Sequence, residues 1–580
     1  MIFEIGLVLS GTVSAGPYTA GVIDYLIEAL DAWYEAKRTG CSDIPTHNVL
    51  VRVVVGTSGG AMTASLLPGA LYGDFQHFAQ RSSALVTNSN NRLYWSWVED
   101  IDMTDLLQRS DLNATENVCS VFDSTKIENI VDQIFDVDRL GKARPQPDWL
   151  DTELDIYIMV TDLTGVPYAI DMNGAALGMR SHGSFLHFVL SPNLAPQSPR
   201  PYWLADTIWL NTALLRGSSP ASNSQAGRQL KNAALASGAF PIGLKSRDLT
   251  VSRSHYFSLP WMVPVSPEEG CIVVRTIPPV KAWRTSEADY TFTAVDGGIV
   301  NNSAVEFARL SLRGSGMGRN PRFADQADKA LIMITPFARQ SSPDVRPSDI
   351  FSIAKAVVVA MLDQSRFKID ELRLALDEDV YSRFIISPSY SDRRGNTRRW
   401  PIYGELVGAF GAFVHKTFRK HDYLLGRRNC QQFLRNHFVL PSKHALFAGL
   451  SEEMKLRHAA DVDEANGQPL LRSYTHSSRP DGPKEADYFV QVIPVINQTE
   501  EPLPADFRVN PLAVVNWQGL EQAIGQRLDA VVQALVKQKL GGVKSALLRM
   551  VLWVPLSVVR ARVVATIINW LKREYSKFDL

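Results

Sequence analysis

The sequence predicts an α/β fold with a mostly parallel central sheet, followed by a mainly helical C-terminal extension. Three observations carry this. Two short aliphatic runs near the N-terminus each give way to a glycine-containing turn and then to a helix-spaced apolar stripe, so Met1 to Leu67 reads β-α-β-α. That order implies parallel strands buried on both faces. One of the turns is Gly56-Thr57-Ser58-Gly59-Gly60, a G-x-S-x-G pattern, and beyond Arg339 strand-like runs become scarce while helical spacing takes over.

Ile5 to Ser10 is the first strand, Gly11-Thr12-Val13-Ser14-Ala15-Gly16 the loop, and Val22, Leu26, Ala29, Leu30 and Trp33 the stripe of the helix that follows. Such a loop presents backbone N–H groups that can bind a phosphate or stabilise an oxyanion. The same pattern also joins strands to helices in many α/β proteins with no chemistry at all. Val51 to Val55 is the second strand. Its turn displays Ser58 on a sharp elbow before the Ala/Met/Leu-rich helix, making Ser58 the candidate nucleophile. Asn91 to Gln108 gathers aromatic residues that suit a core or the wall of a substrate channel.

Leu154 to Thr161 alternates as a strand, with Val166 to Ile170 as its hairpin partner across Asp162-Leu163-Thr164-Gly165. Ser218 to Gly227 reads as a surface loop, and Lys231 to Phe240 as an Ala-rich helix stopped by Pro241. Thr291 to Val295 is a strand ending in Asp296-Gly297-Gly298. An acid there, followed by two glycines, is where open α/β sheets place functional side chains, although Asp-Gly is also a common turn dipeptide. Ala330 to Thr335 supplies a further strand. Asp349 to Leu376, Leu406 to Phe418 and Asn429 to Phe438 are expected to be helical, Ser473 to Lys484 a linker or long loop, and Tyr488 to Ile496 a late strand.

At 580 residues, 45% apolar and 21% charged, the chain exceeds one ordinary domain. Its 60 basic and 60 acidic side chains cancel, giving no reason to expect nucleic acid. Cys41, Cys119, Cys271 and Cys430 are far apart, which suggests neither a zinc site nor a disulfide framework and fits a reducing, cytoplasmic compartment. No Lys or Arg precedes residue 37, so Ile5 to Val13 lacks the flank of a signal peptide. Leu512 to Leu540 and Gly542 to Phe578 form a helical tail. Its Lys and Arg residues flank the apolar Met550 to Val559 run with Trp553, a composition suited to peripheral membrane contact or to a buried C-terminal helix.

Taken in order, the glycine loop, the serine elbow and Asp296-Gly297-Gly298-Ile299-Val300-Asn301-Asn302 resemble the patatin-like phospholipases. Ala236-Ser237-Gly238-Ala239-Phe240-Pro241 is similar to that family's Ala/Ser-rich helix end. The likeness covers roughly residues 5 to 340, and residues 400 to 440, with Phe418 to Asn429 among them, resemble more loosely the extension of the longer bacterial members. It implies a three-layer α/β/α acyl hydrolase domain over 1–340, a helical extension over 341–472, and a linker with a basic helical tail over 473–580. It further implies a Ser58–Asp296 dyad, an oxyanion hole from Gly11, Thr12, Val13 and Gly59, a phospholipid substrate, and no cofactor or metal. One departure stands out: the family's loop carries consecutive glycines and a basic residue, where this chain has Thr12, Val13 and Ala15. A β-branched Val13 does not readily take φ > 0.

A carboxylate of ordinary pKa is a weak base for a hydroxyl, so the dyad predicts a dry apolar cleft around Ser58. No histidine falls in a triad context; the rival Ser-His-Asp arrangement would have to use His421 or His437. A non-catalytic lipid-binding protein and an acyltransferase using the same dyad are also compatible with the sequence.

Overall fold

Alternating aliphatic residues build the centre of the molecule. The structure, a computed structural model, describes all residues except 79–89, 115–116, 135–143, 194–195, 197–205, 213–224, 265–271, 284–286, 314–319, 338–359, 361–364, 366–376, 378, 392–396, 464–465, 497–499, 502–508, 541–559 and 578–580. Its sheet comprises β1 (Ile2–Leu9), β2 (Asn48–Thr57), β3 (Leu150–Met172), β4 (Ala175–Ser191), β5 (Ile208–Asn211), β6 (Arg247–Ser252), β7 (Asp289–Asp296), β8 (Lys329–Ile334) and β9 (Arg383–Ile386). The order is β9-β8-β1-β2-β3-β4-β5, with β7 on β3 and β6 on β7. Strands from β9 to β3 pair in parallel, as do β4 and β5; β3/β4, β3/β7 and β6/β7 are antiparallel.

Period-2 alternation divides the strands between two cores. Phe3, Ile5, Leu7 and Leu9 face one side with Ile156, Ile158, Ile332 and Ile334; Val8, Tyr157, Met159, Leu331 and Met333 face the other. In β2 a register shift between Val51 and Val53 switches the phase, so Val51 and Val54 share the first core while Val53 and Val55 enter the second. The first face is covered by α1 (Gly16–Arg38), α2 (Gly59–Tyr72), α3 (Thr125–Asp132) and α4 (Gln225–Ser237), and the second by α5 (Val305–Arg313). Helices thus lie on both sides of a mostly parallel sheet.

The C-terminal extension contributes α6 (Lys416–Asn436), α7 (Trp517–Leu540) and α8 (560–576). Helix α6 lies directly on α1. A Cβ at Gly21 would stand 2.0 Å from the Tyr423 carbonyl oxygen, and one at Gly426 would stand 2.2 Å from that of Tyr18, so each glycine admits the opposite backbone. Buried Asp24 of α1 accepts from Arg427 Nη1 at 2.6 Å and Tyr423 Oη at 2.7 Å, and meets His77 Nδ1 at 2.8 Å. In α8, Val564, Ile568, Leu571 and Tyr575 are buried while Arg562, Lys572 and Arg573 are exposed, so its apolar stripe faces the protein. Among the described residues no helix is long and apolar enough to cross a membrane.

Two local expectations are overturned. Val166 to Ile170 is not a return strand: it continues β3, and the partner is β4. Asp162 to Gly165 is a bulge, where Thr164 N donates to Asp162 Oδ1 at 2.7 Å and Gly165 has φ 72°; the chain turns at Asn173 and Gly174, with φ 52° and 93°. Leu406 to Phe418 is not one helix. It holds 3₁₀ turns at Val407–Ala409 and Gly411–Val414, preceded by one at Tyr403–Glu405, and its last three residues open α6. Val407, Gly408 and Ala409 have φ 57°, 60° and 76°, incompatible with a continuous right-handed helix. The tail runs as helices α7 and α8, with Lys544, Arg549 and the Met550 to Val559 run outside the described residues, as are most of Asp349 to Leu376 and of the Ser218 to Gly227 loop. The 473–484 loop joins a short hairpin, Arg472–Tyr474 with Glu485–Asp487, and the late strand is limited to Phe489–Gln491.

Candidate active site

The elbow forms where β2 runs out of β-branched residues. Ser58 takes φ 55° and ψ −127°, a conformation that costs a non-glycine residue of order 1–3 kcal/mol and persists only where neighbours over-determine it. The neighbours are close. Ser58 N donates to Ser237 Oγ at 2.8 Å, and Ser237 Oγ in turn donates to the Met159 carbonyl of β3. Gly60 and Gly56 admit backbone where any Cβ would collide: Gly60's would lie 2.1 Å from the Leu9 carbonyl oxygen and Gly56's 2.6 Å from Ala61 Cα.

Asp296 arrives on β7, locked by the Thr161 hydroxyl on its carbonyl at 2.8 Å and by its own N–H on the Ala239 carbonyl at 3.1 Å. Its two carboxylate oxygens have separate partners. Oδ1 accepts from Gly298 N and Oδ2 from Ser58 Oγ, both at 2.7 Å. Among the described residues Asp296 is the side chain that holds the Ser58 hydroxyl. Burial pushes its pKa up from 3.8 to about 6, an effect that the Ser58 and Gly298 hydrogen bonds reduce but do not cancel. His421 instead meets Asp422 at 3.0 Å inside α6.

All four loop positions come together at the serine. A Cβ on Gly11 would stand 2.1 Å from Asn302 Oδ1 and 3.2 Å from Ser58 Cβ, so a larger residue there would have to displace the Asn302 side chain and crowd Ser58. The Gly11 amide makes a long 3.4 Å bond to the Asn302 carbonyl. The Thr12 side chain is fully buried against Gly59, and Val13 and Gly59 line the cavity with Ser58. Val13 does take a positive φ, 45°, contrary to what its branching suggests. Packing enforces it: Ala15 N bonds the Thr12 carbonyl at 2.8 Å, Ser14 Oγ accepts from Ala412 N at 3.1 Å, and Gly404 presses on Ala15.

From Ser58 an apolar cavity of about 50 Å³ runs between α2 and α3, past Met62, Leu66, Ile127 and Val131. Trp97 of the Asn91 to Gln108 cluster is buried, fills the space over Gly16 and lines this cavity with Ile101, while Leu93, Tyr94 and Val98 lie in the core. Phe410 and Phe413 line it too. In the sequence Ser237 is detectable only as part of an Ala-Ser-Gly helix end; Phe410 and Phe413 carry no sequence signal at all.

A profile described as patatin-like phospholipase matches residues 7–309, spanning both Ser58 and Asp296. A relative from Sinorhizobium fredii, named uncharacterized protein y4iI, is 34% identical over 565 residues, covering 92% of this chain and 76% of its own. That relative's alignment extends well past the profile, so the likeness includes the C-terminal extension. The chain belongs to the patatin-like phospholipase family of lipid hydrolases.

Proposed function

We propose that the protein is a serine acyl hydrolase of phospholipase A type that cleaves acyl esters of membrane phospholipids through Ser58 and Asp296. The observation that carries this reading is the 2.7 Å bond from Ser58 Oγ to a buried Asp296 whose pKa is raised to about 6, at the head of an apolar cavity. Raised basicity is what a carboxylate needs to accept a hydroxyl proton near neutrality. Ser58 Oγ attacks the acyl carbonyl carbon as its proton passes to Asp296 Oδ2, and the tetrahedral oxyanion is held by amides of the Gly11–Val13 loop and Gly59. Collapse expels the glycerol oxygen, which takes the proton from Asp296. Water then attacks the acyl-serine, giving its proton to Asp296, and the free fatty acid leaves as Ser58 recovers its hydrogen. The Gly298 N–H keeps Oδ1 occupied, so Oδ2 is the oxygen presented to the serine.

The test is incubation with mixed phospholipid vesicles and identification of products by mass spectrometry. Wild type is expected to release fatty acid and lysophospholipid, and Ser58→Ala neither. Vesicle binding by wild type with no fatty acid released would overturn the reading in favour of a lipid-binding role, and acyl transfer to an added alcohol in preference to water would make it an acyltransferase.

A further inference from the structure

The Phe418 to Asn429 stretch takes no part in the dyad chemistry, yet its second residue holds backbone in the cavity's walls. Arg419 is 1% exposed, and its guanidinium bridges two separate segments. Nε donates to the Val98 carbonyl at 3.0 Å, and Nη1 to the carbonyls of Phe413 at 3.0 Å and Ala412 at 3.4 Å, with Asp102 Oδ2 at 3.3 Å. Val98 follows Trp97 in a π-helical turn, Trp95–Glu99, and Phe413 lies near the end of the 403–414 segment, so one buried cation joins two walls of the cavity.

The 403–414 segment is fixed at three further points. Ala412 N donates to Ser14 Oγ at 3.1 Å, a Cβ on Gly404 would lie 2.6 Å from Ala15 Cβ, and Tyr575 Oη of α8 donates to the Gly411 carbonyl at 2.6 Å. Phe410 is wedged between Phe122 and Phe240, each ring centroid 5.5 Å away. Phe240 adjoins Ala239, whose carbonyl anchors Asp296. The aromatic wall is therefore registered against the nucleophile from the loop side and against the base from the other. Phe410 and Phe413 line the cavity together with Ser58, and rings held in this way cannot yield as flexible aliphatic side chains do.

We propose that the C-terminal segment 403–414 is part of the acyl-binding site, and that Phe410 and Phe413 select straight saturated chains over chains kinked by a cis double bond. The inference rests on the reading of Ser58 as the nucleophile. A saturated chain in extended form fills a slot of constant width, whereas a cis kink demands extra width near the bend. Replacing a ring by a methyl group supplies that width.

The experiment uses the full chain. An equimolar mixture of stearoyl and oleoyl esters of one alcohol is presented in detergent micelles, and the two fatty acids released are quantified together, so that their ratio reads relative kcat/KM. Phe410→Ala and Phe413→Ala are compared with wild type, with Phe410→Leu and Phe413→Leu as conservative partners and fluorophosphonate labelling of Ser58 as the check that each variant is folded. Wild type is expected to favour stearate, and at least one alanine variant to lower that preference by about tenfold while still labelling. A stearate to oleate ratio unchanged in all four labelled variants would overturn the inference while leaving the dyad standing. Wild-type protein that neither labels nor hydrolyses either ester would overturn the dyad and the inference together.

Discussion

Asp296 is held in a place that favours its neutral form. A rise from 3.8 to about 6 corresponds to about 3 kcal/mol between the charged and neutral carboxyl. Because the folded pKa is raised, the associated stability is fully present below pH 3.8 and lost as pH rises through about 6. Two outcomes follow. On the proposed mechanism, in which the ionised carboxylate accepts the serine proton, acyl release should climb as pH passes through about 6 and level off above it. Asp296→Asn should abolish turnover yet melt at a higher temperature than wild type at pH 8, with the gain gone at pH 4; equal melting temperatures at pH 8 would mean that the buried charge costs nothing. Ser58 and Asp296 are both legible in the sequence, because an elbow and a strand end followed by two glycines are written in a few consecutive residues. Val13 is legible as an anomaly only, since its positive φ is imposed by Ala412 and Gly404 nearly four hundred residues away.

Among the elements, the α1/α6 pair depends on two missing side chains. Gly21→Ala would drive a methyl group into the Tyr423 carbonyl, a backbone atom that cannot swing aside, and should destabilise the protein by roughly 1–3 kcal/mol. Chemical denaturation checks this; a variant as stable as wild type would show that the helices can separate at no cost. The parallel strands and their covering helices are legible from period-2 and helical spacing alone. The β3/β4 hairpin is not, because Asp162 to Gly165 offers a turn composition, while the Asn173-Gly174 pair that makes the turn lies eight residues beyond Gly165. The 403–414 segment imitates a helix because its apolar content is real. Those side chains serve the cavity and the glycine loop instead, and spacing does not reveal which surface an apolar residue will meet.

Taken whole, the molecule does not separate cleanly at residue 340. Asp24 is buried and kept ionised: burial opposes its charge, but Arg427, His77 and Tyr423 more than compensate and hold its pKa well below the usual carboxylate range. His77 is affected in the opposite sense. Burial alone would lower it, but Asp24 and Asp31 raise it to about 9. Its contribution is therefore present below pH 6.5 and lost as pH rises through about 9, where cooperative unfolding should become easier. Arg427→Met leaves Asp24 without its main counter-charge and is expected to cost about 3–5 kcal/mol. A chain ended at residue 340 loses that arginine, α6 and the aromatic wall together. It should show weak near-UV circular dichroism and bind a hydrophobic dye, whereas a sharp melting transition from this fragment would establish 1–340 as a self-sufficient domain.

The Asp24–Arg427 pair also keeps time. Its partners are separated by 403 residues of chain, and at a synthesis rate of about 5–20 residues per second they emerge from the ribosome roughly 20–80 s apart. For the last part of that interval Ser58 and Asp296 already exist in the growing polypeptide, while the arginine that anchors α1 does not. Synthesis in this order makes Ser58 and Asp296 early and the Phe410 and Phe413 wall of their cavity late, so the cavity closes around the Ser58–Asp296 pair only after α6 has folded back onto α1.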